Sequence, residues 1–125
     1  MLPSRLQAIV DVETAARIGR SPADLARAFL DGGATFLQLR AKRLPSGAFL
    51  DLCDCVVALA APFGASVIVN DRADLARASG AAGVHVGQDD LPPSAVRRLL
   101  GEEAIVGAST HDIPQIDAAL REPIS

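Results

Sequence analysis

The sequence predicts an α/β fold on a parallel sheet. Short apolar runs alternate with amphipathic stretches, the connections between them are brief, and the runs are nearly continuous in apolar residues. Runs of that kind belong to strands covered on both faces, which right-handed β-α-β units provide. Half of the 125 residues are hydrophobic, enough to bury a core in one domain. Residues 1–125 carry no composition break or low-complexity linker, so a single domain is expected.

The elements follow in order. Residues 6–10 read as a first strand closed by Asp11. Ser21 as N-cap and Pro22 in the first helical position open a helix to Leu30, and Gly32-Gly33 ends it. Residues 35–40 are a second strand, and 46–61 a helix with apolar spacing Phe49, Leu52, Val56 and Leu59. Residues 66–70, 82–86 and 104–109 read as further strands, each followed by a helix, at about 73–79, 92–100 and 113–121. This pattern leaves open whether the sheet is open or part of a barrel.

Composition narrows the partners. The net charge is -3 and the pI about 5.2, with both signs interspersed, so neither nucleic acid nor an anionic membrane is an expected partner. No apolar run approaches the roughly 20 residues of a membrane span, and Met1-Leu2-Pro3-Ser4-Arg5 lacks a signal peptide's apolar stretch. A cytoplasmic protein with a small-molecule or protein partner is expected. Cys53 and Cys55 stand two apart in a predicted helix and point away from each other, as packing thiols would. Aromatic residues make up 3%, without Trp or Tyr, so stacking surfaces for bases are nearly absent.

Strand parity locates the chemistry. Side chains alternate along a strand, so Phe36, Gln38 and Arg40 share one face and Leu37 and Leu39 the other. If the polar residues face inward, Gln38, Arg40, Asn70, His85 and Ser109 converge at the carboxyl ends of neighbouring parallel strands, where α/β proteins hold ligands. An inward arginine needs an anion or a carboxylate to offset its desolvation. The guanidinium of Arg40, the ammonium of Lys42 and the amide of Asn70 suit phosphate oxygens. Asp71 and Asp90, at the ends of adjacent strands, suit a shared Mg²⁺ that keeps several waters.

Each residue has a plainer reading. Asp71 and Asp90 each precede a helix and taken singly read as N-caps, as do Ser109 and Thr110. His85 alone reads as a core histidine bonded to a carbonyl, and Arg40 and Lys42 as charges of a solvated loop. His111 beside Asp112 reads as loop polarity, since no nucleophile accompanies it. Independent caps, however, have no reason to supply anion donors and carboxylates in alternation.

Four segments carry a family resemblance: Gln38-Leu39-Arg40-Ala41-Lys42, Val69-Asn70-Asp71-Arg72, Gly83-Val84-His85-Val86-Gly87-Gln88-Asp89-Asp90 and Gly107-Ala108-Ser109-Thr110-His111. In order and spacing they resemble thiamine phosphate synthase. The resemblance implies a TIM-type (β/α)8 barrel and a transferase that joins hydroxymethylpyrimidine pyrophosphate to thiazole phosphate with release of pyrophosphate. It assigns Gln38, Leu39, Arg40, Ala41, Lys42, Asn70, His85 and Ser109 to the pyrimidine pyrophosphate, Asp71 and Asp90 to Mg²⁺, and catalytic stabilisation of the departing charge to Arg40, Lys42 and Ser109. Ala41 stands where many relatives carry an acidic residue. The absence of a convincing side-chain nucleophile fits, because the thiazole nitrogen attacks.

By the same resemblance the chain ends near the family's sixth strand, so a barrel truncated to about five units is expected, without the thiazole phosphate loops. The first and fifth strands would then be unpaired edges open to self-association. Two other readings accompany it. A thiazole tautomerase on the same barrel has no pyrophosphate to bind, which the Asn70-Asp71 and Asp89-Asp90 pair argues against. A non-catalytic half-barrel module is the other.

Overall fold

The structure, a computed structural model, describes residues 2–125. Five strands form one parallel sheet in the order β1-β2-β3-β4-β5: β1 (Ala8–Asp11), β2 (Phe36–Arg40), β3 (Ser66–Asn70), β4 (Gly83–Val86) and β5 (Ile105–Ala108). The order never reverses. A doubly wound sheet changes direction at a switch point, whereas sequential pairing is the wall of a barrel. Topology thus decides what the apolar pattern left open.

Helices α2 (Pro22–Asp31), α3 (Ser46–Ala60), α4 (Ala73–Ser79), α5 (Pro93–Leu100) and α6 (Ile113–Ala119) lie where the sequence puts them. The Ser21 side chain caps α2 by accepting from the Asp24 N–H at 3.0 Å, with Pro22 opening the helix as its fixed φ favours. A short helix, α1 (Val12–Arg17), was not expected; six residues give too little periodicity to read. In α3 the buried stripe is Phe49, Cys53, Val56 and Ala60, while Leu52 and Leu59 pack at its border.

Ser46–Phe63, comprising α3 and a single 3₁₀ turn (Ala61–Phe63), is long and apolar enough in composition to cross a membrane, contrary to the sequence expectation. Its place in the fold accounts for that composition. The stripe packs against the sheet between α2 and α4, and Asp51 and Asp54 lie on its outer side. Burial pushes the Cys53 thiol up to about 12, which keeps it a protonated packing group, and Cys55 is exposed.

The register divides the sheet into rows. Val10, Leu39, Val69, Val84 and Val106 lie side by side, each fully buried beneath the helices. One residue earlier, Ile9, Gln38, Ile68, Gly83 and Ile105 form a row on the opposite face. One residue later, on that same inner face, Asp11 pairs with Arg40, Asn70 with His85, and His85 with Gly107. The charged residues of the sheet, with Asn70 and His85, are thereby collected in its last inner row. The β5 edge, expected to be bare, holds Ser125: its N–H donates to the Val106 carbonyl at 2.9 Å, and Val106 N–H donates to its Oγ at 3.0 Å.

Candidate active site

Above the last inner row lies an open groove of about 520 Å³. Gln38, Arg40, Lys42, Asn70, Asp71, His85, Asp90 and Ser109 all line it, joined by Gln7, Ile9, the Gly87–Asp89 stretch and His111. Two residues of the sequence expectation do not. Leu39 is fully buried on the helix side of β2, where strand parity turns it away from the groove, and Ala41, just past the end of that strand, is nearly buried in the same core. Their side chains therefore have no access to a ligand there.

The cations are not free-standing charges of a solvated loop. Arg40 Nη1 donates to Asp11 Oδ1 at 2.9 Å across the β1–β2 pair. Lys42 Nζ pairs with Asp71 Oδ2. Asp71 Oδ1 also accepts from Asn70 Nδ2 at 2.9 Å. Burial pushes the Asp11 carboxyl up, but hydrogen bonds from Thr14 and Arg40 outweigh it and hold the group below the usual carboxylate range.

The two aspartates expected as metal ligands are not helix caps. Asp71 is held in the left-handed region at φ 66°, its N–H donating to the His85 carbonyl at 2.8 Å, and α4 starts after Arg72 with no side-chain cap. Holding a residue with a Cβ there costs about 1–3 kcal/mol, a strain found mostly at functional turns. Asp90 closes its own loop: its Oδ2 accepts from Gly87 N–H at 2.7 Å, while α5 is capped by Pro92 without a side-chain bond. The true side-chain caps are Asp11, Ser21 and Asp112, the last accepting from Gln115 N–H at 2.8 Å. Neither Ser109 nor Thr110 caps α6.

His85 bonds to a hydroxyl rather than to a carbonyl: Nε2 lies 2.8 Å from Ser109 Oγ. Burial lowers its pKa from the ordinary value, and the Asp71 carboxylate opposes that shift without cancelling it. The ring is therefore neutral at pH 7, one nitrogen a donor and the other an acceptor. Gln88 Nε2 donates to the Ser109 carbonyl at 2.7 Å, tying the β4 loop to the end of β5. Asn70 Oδ1 is buried with no hydrogen-bond partner among the described residues, an acceptor awaiting a donor.

A sequence model of thiamine monophosphate synthase matches residues 6–125. The chain belongs to that family. Among its relatives, the thiamine-phosphate synthase of Anaeromyxobacter dehalogenans is 48% identical over 104 residues, which are 83% of this chain and 46% of the relative. That of Shouchella clausii is 43% identical over 115 residues, 92% of this chain and 54% of the relative. The solved thiamine phosphate pyrophosphorylase of Pyrococcus furiosus superposes with a TM-score of 0.80 at 28% identity, covering 92% of this chain and 54% of that one. The chain spans about half the length of the curated relatives it matches. Within the thiamine monophosphate synthase family the sequential parallel sheet is thus TIM-barrel wall, and the groove lies at the carboxyl ends of its strands, the face on which such barrels work.

Proposed function

We propose that this chain, a single partial-barrel domain, carries the pyrimidine pyrophosphate half of a cytoplasmic thiamine phosphate synthase. The observation that carries this is the convergence of Arg40, Lys42, Asn70, His85 and Ser109 with two aspartates around one groove. Arg40, through the donors that its bond to Asp11 leaves free, and Lys42, by exchanging the Asp71 carboxylate for a more highly charged anion, receive the pyrophosphate oxygens. Asn70 Oδ1 takes a donor from the ligand, and Ser109, oriented by neutral His85, donates its hydroxyl to it.

The donor set fits a hard divalent cation. Asp71 and Asp90 offer carboxylate oxygens from the same groove, and a Mg²⁺ ion held by two carboxylates would keep several waters. When bound, Mg²⁺ would supply charge neutralisation at the departing pyrophosphate. Lys42, paired with Asp71, would then be free to turn toward the same anion.

In the reaction, the carbon–oxygen bond to pyrophosphate breaks, the aminopyrimidine ring delocalises the positive charge left on carbon, and the thiazole nitrogen forms the new bond. The protein's part is to hold the leaving group and stabilise its growing charge. Arg40, Lys42 and Ser109 are placed for that role.

Calorimetric titration with hydroxymethylpyrimidine pyrophosphate, with and without Mg²⁺, tests the reading. Arg40→Ala and Asp71→Ala should each weaken Mg²⁺-dependent binding by about 10- to 100-fold, the worth of a charge-assisted contact. Binding equal to the parent in both variants would remove the assignment.

A further inference from the structure

We propose that Asp11 is a positioning residue for the anion site: it fixes the guanidinium of Arg40 so that its remaining donors face the groove. This rests on the pyrophosphate reading above. Asp11 does not line the groove, so it acts through Arg40 and not on a ligand.

The geometry divides the carboxylate into two jobs. Oδ2 accepts from Thr14 N–H at 2.9 Å and from Thr14 Oγ1 at 2.7 Å, which caps α1 and locks the carboxylate plane. Oδ1 accepts from Arg40 Nη1 at 2.9 Å. The Asp11 backbone is itself fixed by pairing with Arg40 in the sheet. Asp11 is mostly buried, with 15% of its side chain exposed, while Arg40 is 39% exposed and reaches outward from this anchor. A guanidinium has five N–H donors, and Arg40 spends one on protein among the described residues.

Two opposed effects decide whether such an anchor helps an incoming anion. A free arginine must have its rotamers frozen on binding, a cost of roughly 10- to 30-fold in affinity that Asp11 has already met in the fold. Against that, the Asp11 charge repels the anion, which at about 6 Å through water is worth about threefold per unit of anion charge, and less in salt; Mg²⁺ bound to pyrophosphate would cancel most of that charge. Ordering outweighs repulsion. Lys42–Asp71 differs in kind, because Asp71 itself lines the groove.

Asp11→Ser separates the two jobs, since serine caps helices as well as aspartate does but is too short to reach Arg40. With Mg²⁺ and inorganic pyrophosphate as the probe, calorimetry on Asp11→Ser should show binding about three- to tenfold weaker than the parent. Asp11→Ser added to Arg40→Ala should cost nothing beyond Arg40→Ala alone. The Arg40 side-chain nitrogens, resolved by NMR in the parent through slowed guanidinium rotation, should average in Asp11→Ser, which a purely structural role for Asp11 would not produce. Should Asp11→Ser not fold, Asp11→Asn keeps the cap with its single acceptor oxygen and turns an NH2 donor toward Arg40, so a loss of the same size is expected. Parent-like binding by the folded Asp11 variant, or a full additional loss on top of Arg40→Ala, overturns the proposal. If Arg40→Ala itself binds pyrophosphate as the parent does, the pyrophosphate reading falls first and Asp11's role with it.

Discussion

His85 and Ser109 meet across the β4–β5 ladder, the imidazole Nε2 lying 2.8 Å from the serine Oγ. What makes room for that contact is Gly107, the register partner of His85, whose missing side chain leaves space for the ring. A Cβ there would collide with His85 Nδ1 and come within 3.3 Å of two ring carbons.

Gly107→Ala should therefore displace the imidazole and break its bond to Ser109, at a cost of about 1–3 kcal/mol, the usual cost of overpacking. Thermal unfolding reads the cost, and the His85 ring resonances read the displacement. Unchanged resonances in a variant of parental stability would show that the ring does not depend on this glycine.

The same burial gives His85 a pH signature. Its pKa is lowered by desolvation against the partial opposition of Asp71, so in the window between the folded value and 6.5 the unfolded chain binds more protons than the folded one. Stability should be unaffected by this group above that window, fall as pH drops through it, and level off below the folded pKa, where both states carry the proton. An NMR titration of His85 should give a midpoint under 6.5, and His85→Gln should flatten that part of the stability profile. A midpoint at or above 6.5 would contradict the desolvation account.

Asp71 separates strain from function. At φ 66° a glycine fits without a Cβ penalty, whereas alanine keeps it. Asp71→Gly should be more stable than Asp71→Ala by about 1 kcal/mol, yet both should lose Mg²⁺-dependent pyrophosphate binding, since both lack the carboxylate. Denaturant unfolding and calorimetry on the pair read the two effects apart. Equal stabilities would mean that the turn relaxes.

How much of this could be read from residues alone varies with range. The strands were legible because apolar runs such as Ser66–Asn70 obey local pattern, and parity then put Gln38 and Arg40 on one face. The partner of Arg40 was not legible, because Asp11 lies 29 residues away and only the register brings the two together. Gln7 was missed for a related reason. It stands on the groove side with Ile9, and its Oε1 accepts from Gln38 Nε2 at 2.6 Å, a contact that only the pairing of β1 with β2 brings about. Cap propensity supplied the plainer reading of Asp71 and Asp90 taken singly, but the carboxylates turn back to a neighbouring side chain or loop amide instead of to the following helix. A short polar side chain before a helix has both options, and sequence does not rank them.

Leu39 and Gln38 put the division between core and site to its sharpest test, since they are neighbours on one strand and face opposite ways. Leu39 is fully buried beneath the helices, and Leu39→Ala should cost about 2–5 kcal/mol through lost burial and a residual cavity. Its folded fraction should still bind pyrimidine pyrophosphate with parental affinity. Gln38 is buried on the groove side, where its amide bonds to Gln7. Gln38→Ala should cost only about 1 kcal/mol in stability, the net worth of a hydrogen bond, and weaken ligand binding instead. Leu39→Ala should thus lower the unfolding midpoint more, and Gln38→Ala alone should lower the affinity read by calorimetry. If Leu39→Ala, corrected for its folded fraction, loses binding while Gln38→Ala keeps it, then the face assignment of β2, and with it the placement of Arg40 in the groove, is wrong.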